Sequence, residues 1–414
     1  MKVGYCTNVH AGTSLEAVKN NLLEHAVAVR KELLPTVSNK LARLPVGLWL
    51  SNQAAMELQE QEQEQELVRW RDWFVENKLL PYTFNGFPYN DFHQAVVKHN
   101  VYLPTWAEPD RLSYTIKLAR ILDAILPDSE VGTISTLPLG WPPKGMPDDL
   151  IGALDTQSDA FLLACAKHLK QLVIELDRIL QVNGRLIKVG IEPEPGCVLD
   201  SANDVAIFFQ RYLFDDSNAE RVRRHLGVCH DVCHSAVMFE SQQSAIETYR
   251  EAGIDICKVQ VSSAIEGVFD GQRNEETWQA LQGFVEQKYL HQTCLQNADS
   301  NLTEFFEDLH VAIKQKMNGE RSEQEDSLRG SMRVHFHVPI FMEKLGVLNT
   351  TQSQIAECLT ALRQNQTGGN DVGRMPHFEV ETYAWNVLPD QYQGASLASG
   401  IAEEIRWFTE LLDR

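Results

Sequence analysis

The sequence predicts an α/β protein: a (β/α)8 TIM barrel with an extra β-hairpin inserted between strands seven and eight. Three observations predict it. Apolar runs that read as strands begin roughly every 35 to 55 residues, each followed by a helical pattern, as repeated βα units require. Several of these runs end in polar, metal-capable side chains, and a barrel builds its chemistry at the C-terminal ends of its strands. The chain has 414 residues. Barrels with insertions reach that length as one domain, so residues 1–414 read as a single domain with an insertion at about 264–350.

Val3 to Asn8 is strand one, an apolar run closing on Thr7-Asn8. Thr13 and Glu16 have capping-box spacing, and Leu15, Val18, Leu22, Ala26, Val29 and Leu33 follow the three-and-four rhythm of a helix. Val46 to Leu50 is strand two, with Ser51 capping the next helix. That helix takes in the tract Glu57 to Glu66, strong helix formers read as a solvated surface, and buries Trp70, Trp73 and Phe74.

Leu80 to His93 starts as strand three and becomes a loop rich in aromatic and turn residues. Over a barrel mouth, its aromatic faces with Asn85 and His93 suit a ligand pocket. A self-packed loop with its own small core is the other reading. Asp110 caps the following helix, which carries Leu112, Ile116, Ala119 and Ile125. Val131 to Trp141 is strand four, and Asn183-Gly184 stops the long helix after it.

Leu186 to Gly196 is strand five, ending in Glu192 and Glu194, and Ser201 with Asp204 caps the next helix. Strand six lies in Gly227 to Ala236, where His230, Asp231 and His234 crowd the handover to a loop. Asp255 to Ser263 is strand seven. The next strong barrel strand, His377 to Trp385, lies about 120 residues on, which breaks the βα rhythm. The gap holds a helix near 275–288, the two β-like runs Tyr289 to Leu295 and Arg333 to Phe341 that make the hairpin, and a polar run, Gly319 to Asp326, read as a flexible tip. Helices at 352–364 and 399–412 return the chain to strand eight and close the barrel.

Composition narrows the function classes. Lys plus Arg number 37 against 57 Asp plus Glu, a formal net charge of -20. Phosphate binding is dominated by Lys and Arg, so no nucleic-acid partner is expected. The N-terminus shows no uninterrupted apolar h-region, and no apolar run reaches the roughly 18 residues of a membrane span. Eight scattered cysteines without a CxxC pair read as reduced, mostly buried thiols, so the expected location is cytoplasmic. Walker A, GxGxxG and GxSxG motifs are absent.

Four strand ends carry the right polar groups: Glu192, Asp231, Gln260 and Glu381. Hard divalent cations such as Mg or Mn take carboxylate and amide oxygens, and Zn or Mn also accept imidazole. Two carboxylates beside a bound ketose or aldose supply a base and an acid for proton transfer at carbon. Strand eight alternates so that Glu379 and Glu381 share a face; Glu381 is preferred because it lies further toward the C-terminal end. His234 reads as a substrate contact, and Cys229 and Cys233 as buried thiols. His335 and His337 share one side of their strand, as ligand or substrate contact. Asn85, His93 and Lys258 complete the expected substrate contacts.

The segments Ile191-Glu192-Pro193, Asp231-Val-Cys-His234 and Val380-Glu381 resemble the xylose isomerase-like barrel superfamily. The resemblance implies Glu192, Asp231 and Glu381 as metal ligands, with Glu192 and Glu381 doubling as the acid/base pair and His234 contacting substrate. A metal-binding histidine is expected on strand seven, where this chain has Gln260; His337 or His335 is the expected replacement. Gly4-Tyr-Cys-Thr-Asn-Val-His10, Asn85-Gly-Phe-Pro88, His335-Phe-His-Val-Pro-Ile-Phe341 and Glu381-Thr-Tyr-Ala-Trp385 resemble the EboE metabolite traffic family within that superfamily. That likeness implies an operon-encoded protein, with operon-encoded partners, that moves or prepares a small hydroxylated precursor for export. Two functions follow: a metal-dependent isomerase, epimerase or lyase, or a non-catalytic binding protein with a degenerate metal site.

Overall fold

The computed structural model describes residues 2–34, 43–58, 63–128, 130–146, 157–214, 217–317, 328–365, 375–393 and 396–414. In chain order its strands are β1 (Val3–Cys6), β2 (Leu44–Trp49), β3 (Leu79–Asn85), β4 (Gly132–Thr136), β5 (Ile187–Ile191), β6 (Leu226–Asp231), β7 (Asp255–Val261), β8 (Ile265–Asp270), β9 (Thr293–Asn297), β10 (Thr303–Phe306), β11 (Arg329–Val334), β12 (Lys344–Leu345), β13 (Leu348–Thr350) and β14 (His377–Val380). β1 to β7 and β14 are parallel and close into a barrel, β14 pairing with both β7 and β1. β1, β2, β3, β4 and β6 are buried along their whole length, as parallel strands covered by helices must be.

The remaining six strands form one antiparallel sheet in the order β10-β9-β11-β8-β13-β12. The expected hairpin is present as the β9–β11 pair, but it is the middle of a larger sheet. β8 follows β7 after three residues and reads as its continuation in sequence. β12 and β13 are two and three residues long, too short to leave a periodic signal. The regular strand ends at Val334, and the chain then crosses the barrel mouth. His335 N donates to Gln292 O at 2.8 Å, and Val338 N donates to Ser263 O, just past β7, at 3.0 Å.

Local signals differ from expectation in small ways. The first helix is capped by Ser14, which accepts from Ala17 N, one residue after Thr13. The helix Pro109–Ile125 has Glu108 at its N-cap and Asp110 inside its first turn. Pro109 decides this, because its fixed φ and missing N–H suit the first helical position. The Glu57 to Glu66 tract is not one helix: Asn52–Glu57 and Gln63–Glu76 are separate. The Gly319 to Asp326 run lies outside the described residues.

Inward side chains stack in layers along the lumen. At the lower level Thr133 Oγ1 lies 2.7 Å from Thr83 Oγ1 and 2.9 Å from His377 Nδ1, the second contact reaching across from β4 to β14. Two residues higher, Lys258 Nζ meets Glu379 Oε2 at 2.5 Å with both side chains wholly buried. Gly47 on β2 makes room for that pair, since a Cβ there would fall 1.2 Å from Glu379 Oε1. Gly47→Ala is therefore expected to cost about 3 kcal/mol, the upper end of the usual overpacking range. Chemical denaturation measures it; an unchanged midpoint would mean that Glu379 swings aside freely.

Candidate metal centre

One level above the Lys258–Glu379 pair, three carboxylates converge. Glu192 follows β5, Asp231 ends β6 and Glu381 follows β14, and ligand oxygens of all three lie within 4.8 Å of one another. Backbone bonds fix their roots: Glu192 N donates to Thr136 O at 2.9 Å and Glu381 N to Val261 O at 3.1 Å. Asp231 is also an N-cap, its Oδ1 accepting from His234 N at 3.0 Å and from Ser262 Oγ at 2.7 Å. Its Oδ2 is left buried without a partner, as is Glu192 Oε2. Glu381 Oε1 accepts from Asn8 Nδ2 at 2.7 Å and from Asn85 Nδ2 at 3.0 Å.

The electrostatics follow from crowding. Burial, then Glu381 and Asp231, push the Glu192 carboxyl well above the usual range. Burial, then Asp231 and Glu379, push Glu381 up to about 8. Burial works on Asp231 as well, but His234, His337 and its two donors hold it below the usual range. A buried carboxyl trio with orphaned oxygens fits a divalent cation, which supplies the charge that Lys258, one level down and already paired, does not.

Beside the trio stand three imidazoles. His234 Nε2 lies 3.1 Å from His335 Nε2, which lies 3.2 Å from His337 Nε2. Burial first, and neighbouring imidazoles with it, push His335 well down; burial brings His337 to about 4. Glu194 Oε1 accepts from Tyr102 Oη at 2.7 Å and Gln292 Nε2 at 2.9 Å, while its Oε2 has no partner. Cys233 Sγ also comes within 4.8 Å of His335 and His337 ring nitrogens.

A narrow cleft opens onto these groups. Asn8, Asn85, Glu192, Glu194, His234, His335, His337 and Glu381 supply its polar lining. Its walls include Phe92, Tyr289 and Tyr383, packed with ring centroids 5.0 to 5.5 Å apart.

Of the residues singled out in sequence, Glu192, Asp231, Glu381, His234, His335 and His337 come together here. Asn85 reaches the site through Glu381. Three others stand apart. His93 is outside the lining and places Nε2 2.6 Å from Asn8 O. Lys258 lies below the site on Glu379. Gln260 is fully buried with neither amide atom in a well-formed hydrogen bond, and its electrostatic contact is with Glu379. His230 points outward to Gln242 Oε1 at 2.7 Å.

Sequence reasoning did not select Asn8, Tyr102, Glu194, Gln292 or Tyr383. Asn8 and Glu194 carried a signal, each being polar just past a barrel strand. Tyr102 and Gln292 carried none, since only tertiary packing brings them to the mouth.

No protein-family model matches the chain, and no curated protein matches it. Solved structures do. A barrel protein from Mycobacterium smegmatis, solved in complex with magnesium, superposes with a TM-score of 0.50 at 8% identity over 99% of this chain and 96% of that one. The fold is that of a xylose isomerase-like TIM barrel. The IolI protein with a bound zinc atom gives 0.47 at 10% identity over 100% and 98% of the two chains. The probable 3-DHS dehydratase AsbF of Bacillus anthracis gives 0.45 at 13% over 99% of each. At these identities the likeness concerns the fold. Among the described residues no helix is long and apolar enough to cross a membrane.

Proposed function

We propose that the chain is a divalent-metal-dependent isomerase, epimerase or lyase acting on a small polar, hydroxylated molecule in the cytoplasm. The convergence of Glu192, Asp231 and Glu381 at three strand ends, with orphaned oxygens turned inward, carries this reading. These three would hold the cation, which when bound polarises a substrate carbonyl or hydroxyl and eases removal of a neighbouring proton. Without a cation Glu192 and Glu381 both bind a proton more tightly than an ordinary carboxyl; beside a bound substrate the two would supply the base and the acid for proton transfer at carbon. Asn8 and Asn85 clamp one oxygen of Glu381 and so orient the other. Phe92, Tyr289 and Tyr383 wall the cleft against water.

A second reading rests on Gln260. An uncharged amide in contact with Glu379 stands where the superfamily pattern expects a histidine, as in a binding protein that has kept the pocket and lost the chemistry. The motifs shared with the EboE metabolite traffic family support it, and in that role the chain carries or prepares a precursor for export beside operon-encoded partners.

Metal content and isotope exchange separate the two. Protein purified without chelator is expected to carry Mn, Zn or Mg, with the ion at the carboxylate position lost in Asp231→Asn and in Glu192→Gln. In heavy water the metal-loaded protein is expected to wash deuterium into a carbon of one member of a panel of ketoses, cyclitols and hydroxy-keto acids. A ligand that binds without exchange favours the carrier reading. A parent protein that takes up no metal even when supplemented sinks the metalloenzyme.

A further inference from the structure

The three imidazoles beside the carboxylates present a chemical problem. His234 Nδ1 is 2.9 Å from Pro193 O and His337 Nδ1 is 2.7 Å from Glu381 O. A carbonyl only accepts, so both rings carry their hydrogen on Nδ1. His335 Nδ1 is 2.7 Å from Gln292 Oε1. That amide cannot be turned round, because its other end donates to the Glu194 carboxylate at 2.9 Å. His335 therefore also carries its hydrogen on Nδ1. With Nδ1 so committed, a ring without a second hydrogen offers a bare lone pair at Nε2, and the three Nε2 atoms face one another at 3.1 and 3.2 Å.

Lone pairs brought to hydrogen-bond distance without a hydrogen repel, and burial removes the water that would separate them. Asp231 Oδ2, buried and without a partner, lies 3.8 Å from His234 Nε2 and 3.9 Å from His337 Nε2. Asp231, His234 and His337 offer ligand atoms within 4.8 Å of one another, and a cation held there would also meet the lone pair of His335, which adjoins both rings. Tetrahedral zinc with nitrogen ligands at 2.0–2.1 Å holds ligand atoms about 3.3 Å apart, close to the spacing seen. Tying Nδ1 to a carbonyl is also how proteins orient metal-binding histidines.

We propose that His234, His335 and His337, with Asp231, form a second metal position that prefers zinc. It lies beside the carboxylate position of Glu192, Asp231 and Glu381, and Asp231 belongs to both. The inserted sheet delivers two of the three imidazoles, so the insertion completes a binuclear centre. The histidine position stands on its own geometry; only the pairing of two ions rests on the proposed function.

The test is zinc stoichiometry with cobalt substitution. The full-length parent, titrated with zinc, is expected to bind two ions per chain, and the double variant Glu192→Gln/Glu381→Gln to keep one. In that variant the cobalt form should show the visible bands of a tetrahedral, imidazole-rich site. His335→Gln should lose those bands and keep one ion. Circular dichroism checks that each variant folds, and X-ray absorption of the zinc-loaded parent, which needs no variant, should count about three histidines per two zinc ions. A single ion per chain that survives His335→Gln, or that vanishes in both the carboxylate and the histidine variants, overturns the proposal. If the histidine ion is present and the carboxylate ion is not, this site stands and the proposed function falls.

Discussion

Replacing Glu192 with Gln is expected to make the metal-free protein more stable and to remove the stability that metal adds at the carboxylate position. Without a cation, Glu192 and Glu381 are buried next to Asp231 and to each other. Each therefore binds its proton more tightly in the folded chain than in the unfolded one. Stability linked to a raised carboxyl is fully present below the unfolded value near 4.3 and is lost as pH rises through the folded value. For Glu381 that window runs from about 4.3 up to about 8. The loss reaches at most about 5 kcal/mol well above pH 8, and Glu192 adds to it in the same direction. Gln at 192 keeps the shape and removes one of the competing charges.

Thermal melts in chelator at pH 5 and pH 8 should show the parent destabilised at the higher pH and Glu192→Gln less so. Melts with excess Mn or Zn should show a large upward shift in the parent and a smaller one in the variant, which keeps only the histidine position, since binding to the folded state alone stabilises by mass action. If Glu192→Gln melts below the parent in chelator at pH 8, the carboxylates are not in conflict and the centre does not need a cation.

The same residues show why the barrel and half of its site are legible in sequence. Strands β1 to β6 announce themselves because each is a short apolar run with a helix after it, and because Glu192 and Asp231 interrupt that apolarity where the strand ends. Glu381 is found by the same logic, with period-two alternation leaving only Glu379 as its rival. The structure separates them by level: Glu379 pairs with Lys258 inside the lumen, and Glu381 faces the mouth.

What stays hidden is set by tertiary packing. Lys258 and His93 look like substrate contacts because polar residues near strand ends usually are. One is instead consumed by a buried ion pair and the other by the Asn8 carbonyl. The His335/His337 pair is visible as a motif, but not its reach across the mouth. That reach depends on the six-stranded sheet, several of whose strands are too short or too irregular to register. Gln292 is invisible for a plainer reason: its role is to fix the tautomer of His335, and no pattern in its own neighbourhood records that.

Lys258→Met is expected to be the most damaging single change away from the ligands. The methionine fills much of the lysine's volume but leaves Glu379 alone in a wholly buried layer. Burial alone would push the Lys258 ammonium down, yet the Glu379 carboxylate beside it carries it up. Removing one partner of such a pair typically costs about 3–5 kcal/mol. Glu379, already raised by burial, can escape by taking a proton. The proton-linked stability is then present at low pH and lost as pH rises, so the penalty should be smaller at pH 5 than at pH 8.

Adding Glu379→Gln to Lys258→Met should remove that pH dependence and restore most of the stability, because no unpaired buried charge remains. Lys258 also lowers both Glu192 and Glu381, so its loss should make the two carboxyls hold their protons harder and weaken metal binding, about tenfold at pH 7. The double variant should recover part of that affinity, since it also removes the Glu379 charge that raises Glu381. Denaturation at the two pH values and a zinc titration of the three proteins decide it. Equal destabilisation at pH 5 and pH 8 would show that Lys258 acts by packing, and an unchanged zinc affinity would show that its charge does not reach the carboxylates above it.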